Sequence, residues 1–192
     1  MLKVLGIAGS LRRDSYNRHL LVAAQALLDG EGDVELELFD GLADVPPYDE
    51  DLDVEPAPAA VARFRDAIAG ADAVLFATPE YNSSIPGQLK NALDWASRPI
   101  ATNVLRNKPV AVVGASSGAF GAVWAQAELR KVLSAIGARV ARGELAVGLA
   151  RTRFDDDGRL ADEAIAEGLR DIVDGLVAAA RERAAALEAR AA

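Results

Sequence analysis

The densest group of chemistry-bearing residues is Gly9-Ser10-Leu11-Arg12-Arg13-Asp14-Ser15-Tyr16-Asn17. It lies between an apolar, strand-like run and a run with helical spacing, so hydroxyls, a guanidinium and an amide gather at a helix N-terminus. Unpaired N–H groups and the helix dipole already favour an anion there. A phosphate monoester suits that inventory, because its charge of about −2 and three terminal oxygens use several side-chain donors at once. A dinucleotide pyrophosphate instead needs glycines that let the backbone approach. Ser10, Arg12, Ser15 and Asn17 are therefore the candidate phosphate ligands. A plainer reading, in which Ser15 or Asn17 only caps the helix, leaves Ser10 and Arg12 unexplained. Arg13, Asp14 and the single histidine, His19, read as surface or packing residues.

Two other segments could complete a site. Thr78-Pro79-Glu80-Tyr81-Asn82-Ser83-Ser84-Ile85-Pro86-Gly87 is bracketed by prolines that hold it extended and then start a helix. A rigid loop of this kind can present backbone amides along the edge of a flat heterocycle, although an ordinary turn with Tyr81 on the surface accounts equally well for the spacing. Gly114-Ala115-Ser116-Ser117-Gly118-Ala119-Phe120-Gly121 also joins a strand to a helix, and its glycines permit close backbone approach or merely tight turning.

Positioning these loops requires a particular architecture. Short β-rich runs alternate with helical spacing in five βα pairs, the pattern of a parallel sheet covered on both faces. Strands are expected at Lys3 to Ala8, at Val34 to Leu38 on an edge, at Ala73 to Ala77 and at Lys108 to Val113, with a weaker fifth between Arg139 and Val147. The helices are expected to stop near Gly30, Gly70, Pro99 and Gly137, and the last runs from about residue 161 to Ala192. Right-handed crossovers give an open, doubly wound α/β sheet of order 2-1-3-4-5 in a single domain, residues 1–192. In such a sheet ligands bind beyond the carboxyl ends of the strands, where the loops after strands one, three and four meet.

Composition narrows the chemistry. The chain has no cysteine, which excludes a thiolate nucleophile, disulfides and cysteine-bound metals. A net charge of −8 argues against nucleic acid or an anionic membrane as partner. Apolar runs are strand-sized, and no export signal is read at the N-terminus, so a soluble cytoplasmic protein is expected. The absence of G-x-x-x-x-G-K-[ST] disfavours ATP-type phosphoryl transfer. Asp40, at the end of the second strand, keeps a Rossmann-type NAD site in contention, although G-x-G-x-x-G is missing.

GSLRRDSYN at 9–17, PPYDED at 46–51, TPEYNSSIPGQLKNALDWASRP at 78–99 and GASSGAFGAVWAQAELRKVL at 114–133 together resemble the NADPH-dependent FMN reductase family, which includes quinone and chromate reductases. The resemblance implies a flavodoxin-like three-layer sandwich and an FMN cofactor. Ser10, Arg12, Ser15 and Asn17 would hold the FMN phosphate. Pro79, Glu80, Tyr81, Asn82 and Ser83 would line the isoalloxazine and ribityl side with Ile85 nearby, while Ser116, Ser117 and Gly118 would contact the ring. Ser117, Ala122 and Trp124 stand where relatives usually carry proline, glycine and arginine. A homodimer or homotetramer is implied.

The expected activity is hydride transfer from NADPH or NADH to N5 of FMN and on to a small-molecule electron acceptor: a quinone, an azo or nitro compound, a metal oxyanion or free flavin. The flavin carries the difficult chemistry, so no catalytic side chain and no metal are assigned. The alternatives are a flavin-carrying electron-transfer or storage module without NAD(P)H turnover, and a flavin-free NAD-binding protein. Trp95 reads as packing or interface rather than as a stacking partner.

Overall fold

Runs that are apolar at every position form strands buried on both faces, whereas alternation with glutamate leaves one side wet. The computed structural model describes residues 1–29 and 32–191. Its strands are β1 (Leu2–Ala8), β2 (Val34–Phe39), β3 (Ala73–Ala77), β4 (Pro109–Ala115), β5 (Arg139–Val140) and β6 (Leu145–Val147). They pair in parallel in the order β2-β1-β3-β4-β5, with β6 also on β4. The expected order is borne out, and β2, with Glu35 and Glu37 exposed, lies at the edge.

The helices are α1 (Tyr16–Leu28), α2 (Ala59–Gly70), α3 (Gly87–Ala96), α4 (Val123–Ala135) and α5 (Glu163–Ala191). The strand period of two sorts the core into halves. Ala73, Leu75 and Ala77 pack with Ala111 and Val113 under α1 and α5. Val74 and Phe76 pack with Val110 and Val112 under α2, α3 and α4. The stop expected at Gly30 and the chain end at Ala192 lie outside the described residues; α1 closes with Asp29 N–H donating to Gln25 O at 3.0 Å. Gly137, at φ 93°, follows α4 as expected.

The fifth strand differs from the expectation, since it is split in two between Val140 and Leu145. Arg130 of α4 explains the break. Its guanidinium donates to Val112 O at 2.9 Å, to Ala141 O at 3.0 Å and to Gly143 O, taking up carbonyls around the gap. Trp95 is fully buried, donates from Nε1 to Pro46 O at 2.8 Å and meets Tyr48 edge-on, so its role is packing. Buried Lys108 donates to Ala69 O and Ala71 O at the end of α2, and burial pushes its pKa down to about 8.

Candidate active site

The loops after β1, β3 and β4 meet at the C-terminal edge of the sheet around a cleft of about 500 Å³. That volume lies within the range of small-molecule and cofactor sites, about 300–1,000 Å³. Nine of the thirteen expected site residues line it: Ser10, Arg12, Ser15, Asn17, Pro79, Glu80, Tyr81, Ser116 and Ser117. Asn82, Ser83, Ile85 and Gly118 do not.

Each loop is held by hydrogen bonds within the chain. In the first, Ser15 has extended backbone, and its Oγ accepts from Asn17 N–H at 3.2 Å, the N-cap of α1. Ser10 Oγ accepts from Arg12 N–H at 3.3 Å, which tightens the turn and leaves the guanidinium exposed. Arg12 lies over the face of Tyr16, 5.4 Å from its centroid. Asn17 is 2% exposed and does more than cap. Its Nδ2 donates to Ala115 O at 2.9 Å while its Oδ1 accepts from Ala115 N–H at 2.9 Å, so the first helix is fastened to the end of β4.

The second loop folds back tightly. Tyr81 and Ser84 exchange both backbone hydrogen bonds, at 3.0 and 3.1 Å, around Asn82 (φ 52°) and Ser83 (φ 62°). Two residues with positive φ make a type I′ turn, favourable for asparagine and strained by about 1–2 kcal/mol for serine. The turn leaves Tyr81 half-exposed at the cleft and directs Ile85 into the core beneath α3. Glu80 Oε2 accepts from Trp124 N–H and Ala125 N–H, both at 3.1 Å. This carboxylate caps α4, whose own N-cap residue, Ala122, is left-handed at φ 61° and supplies no side-chain cap. Glu80→Ala is therefore expected to lower stability by about 1–2 kcal/mol, measured by urea unfolding, with Glu80→Gln losing less because its oxygen still accepts.

In the third loop Ser116 Oγ accepts from Gly118 N–H at 3.1 Å, the same turn as at Ser10, and Ser117 is exposed. Gly121 of this loop serves close packing. A Cβ on Gly121, at φ 59°, would lie 2.4 Å from the Ala146 carbonyl carbon, and Gly148 meets the Ala119 backbone as closely. Ser116 O accepts from Ala150 N–H at 3.0 Å, and Gly118 O accepts from Leu149 N–H at 2.9 Å.

Those two bonds bring in a residue that the sequence reading missed. Arg151, in a 3-10 turn at Ala150–Thr152 after β6, lines the cleft with Arg12. Nothing in its local sequence distinguishes it from other exposed arginines. Only its place after a strand on the same rim could have pointed to it. Tyr16 and Ala115 also line the cleft. His19 packs against Tyr16, Phe154 and Gly158, in agreement with its structural reading. Asp40 lies in a neighbouring depression of about 280 Å³ with Arg13 and Arg18, which shares Ser10 and Arg12 with the cleft.

The family model described as NADPH-dependent FMN reductase matches residues 2–152. The chain belongs to the NADPH-dependent FMN reductase family. It is 43% identical to an NAD(P)H-dependent FMN reductase of Pseudomonas aeruginosa, over 91% of this chain and 93% of the relative. It is 38% identical to a 2-hydroxy-1,4-benzoquinone reductase of a Burkholderia species, over 95% and 98%. Among solved structures, FerB, a flavoenzyme NAD(P)H:(acceptor) oxidoreductase from Paracoccus denitrificans, superposes with a TM-score of 0.85 at 39% identity, covering 95% of this chain and 98% of that one. The three-layer architecture is thus the flavodoxin-like one expected, and the protein is an oxidoreductase of this FMN reductase family.

The residues of this FMN reductase fit its cofactor. The cleft is lined by four serines and two arginines, and among the described residues neither Arg12 nor Arg151 has a carboxylate within 4.0 Å. Glu80, the only acid lining it among the described residues, is engaged at α4. In a chain of net charge −8, this is a local excess of positive charge suited to a phosphate dianion.

Proposed function

We propose that this cleft binds FMN and that the protein reduces a small quinone at the expense of NADPH or NADH. The observation that carries this reading is the pair of unneutralised arginines beside Ser10 and Ser15 at the strand ends of a chain in this family. Arg12 would hold the phosphate by charge-assisted hydrogen bonds, and the amides of the α1 N-terminus add the favourable end of the helix dipole. Ser10 and Ser15 already accept from backbone N–H groups, so their hydroxyl protons remain free to donate. Asn17 acts through Ala115, keeping the phosphate loop in register with Ser116.

Pro79, Glu80 and Tyr81 form the wall assigned to the flavin and ribityl side, with Asn82 and Ser83 in the turn beyond it and Ile85 buried nearby; Ser116 and Ser117 form the other, with Gly118 next in the chain. The flavin, once bound, supplies two-electron redox chemistry between a nicotinamide and a quinone. The protein holds donor and acceptor at one site, and donors aimed at the ring need no acid or base among the side chains. A quinone is preferred as acceptor because the Burkholderia relative is named for one. Azo and nitro compounds, metal oxyanions and free flavin are the other candidate acceptors.

The two core halves share one sheet, which supports a single domain spanning 1–192. Among the described residues no helix is long and apolar enough to cross a membrane, and the proposed location is the cytoplasm. Exposed Tyr81, Phe120, Trp124 and Leu149 support a homodimer or homotetramer. The test is a visible spectrum of the purified protein under anaerobic conditions. A flavin spectrum bleached by NADPH or NADH at a catalytic rate, and restored by a quinone, is the expected result. A yellow protein that NAD(P)H leaves unbleached is a flavin carrier instead, and a colourless one that takes up no FMN overturns the reading.

A further inference from the structure

Two arginines stand close in sequence after β6, and the fold uses them differently. Arg153 is committed to structure, with Nη1 2.7 Å from Asp162 Oδ2 at the start of α5. Arg151 makes no such pair among the described residues and lines the cleft with Arg12, Ser10 and Ser15. Its backbone is fixed on both sides. Ala150 N–H donates to Ser116 O at 3.0 Å, Thr152 N–H donates to Leu149 O at 2.9 Å, and Phe154 stacks on Tyr16 with ring centroids 5.6 Å apart. Because Arg12 lies over the same Tyr16, the turn after β6 and the loop after β1 are joined through one aromatic platform.

A buried or paired arginine would have a structural reason to be where it is. An unpaired one on a hydrogen-bonded turn, lining the same cleft as a second unpaired guanidinium, raises electrostatic energy until an anion enters. One guanidinium balances half of a phosphate monoester's charge; two balance it in full.

We propose that Arg151 is a second guanidinium for the 5′-phosphate of FMN, reaching it from the turn after β6 while Arg12 reaches it from the loop after β1. This rests on the FMN reading above. Its consequence is selectivity: Arg151 discriminates FMN from riboflavin, which offers the same ring and ribityl chain without the charge.

The test compares both flavins on flavin-free, full-length protein, with dissociation constants from the quenching of flavin fluorescence. Arg151→Ala is expected to weaken FMN roughly 10- to 100-fold and riboflavin by no more than about twofold. Unchanged FMN affinity overturns the assignment. So does an equal loss for both flavins, which would put Arg151 on the ring or in the fold. Should the alanine variant not fold, Arg151→Gln removes the charge at similar length and is read in the same way. Wild-type protein that binds neither flavin would overturn the FMN reading itself, whereas tight wild-type binding with an indifferent Arg151 variant overturns only this inference.

Discussion

Replacing Arg12 with alanine is expected to weaken FMN binding by roughly 30- to 150-fold, about 2–3 kcal/mol, the cost of charge-assisted hydrogen bonds to a phosphate. The size follows from what Arg12 lacks in the free protein. It has no carboxylate partner among the described residues, and its guanidinium lies over the face of Tyr16 at 5.4 Å. Its removal therefore costs the fold little, and the loss falls on binding. Riboflavin should be held as before. Arg13→Ala is the matched control: Arg13 is exposed, does not line the cleft and should leave the FMN dissociation constant nearly unchanged. An equal loss in both variants would mean that general charge attraction, rather than a seated phosphate, drives binding. Arg12 and Arg151 would share one phosphate, so the double variant is expected to lose less than the sum of the two.

The cleft divides its polar residues between contact and support. Arg12, Arg151 and Ser117 present side chains that the chain does not otherwise occupy. Ser15, Asn17 and Glu80 are engaged with backbone groups: the start of α1, the end of β4 and the start of α4. Such supports hold binding groups within the narrow tolerance that recognition requires, so that little ordering remains to be done when a ligand enters. Side-chain type alone cannot separate the two classes, because a serine that caps a helix and one that binds phosphate sit at the same place: the first accepts from the unpaired N–H groups there, and the second donates to the anion those groups attract.

This is also why the sheet was legible in the sequence and the roles in the rim only partly so. Period-two burial in β3 and β4, helical spacing in α1 and α4, and glycine or proline at their ends are local signals, and they fix the order of the elements. The split of the fifth strand was not local. It involves Arg130 of α4, whose guanidinium supplies donors to Ala141 and Gly143, eleven and thirteen residues further on. Arg151 was hidden for the same reason, since its link to the cleft runs through Ser116 and Tyr16, distant in the chain. Ile85 is the converse case. The resemblance puts it near the flavin, and beyond the type I′ turn at Asn82 and Ser83 its side chain is buried in the core. Contacts between loops of separate elements are set by the fold as a whole, which no single window of sequence contains.

Asn17→Leu should expose that dependence most directly. Leucine keeps asparagine's branched shape, but it can neither donate to Ala115 O nor accept from Ala115 N–H. Asn17 and Ala115 are each 2% exposed, so both backbone groups would be left buried and unpaired. At about 1–3 kcal/mol for each unsatisfied group, the expected destabilisation is about 2–6 kcal/mol. Urea unfolding of flavin-free protein measures it without the contribution of bound ligand. The same variant should weaken FMN and riboflavin together, because unfastening α1 from β4 displaces the phosphate loop relative to Ser116 and Ser117. That joint loss separates a support from a ligand, since Arg12→Ala weakens FMN alone. Unchanged stability would mean that the bonds to Ala115 are not made in solution. A loss confined to FMN, with the midpoint of unfolding unmoved, would return Asn17 to the phosphate and remove it from the framework.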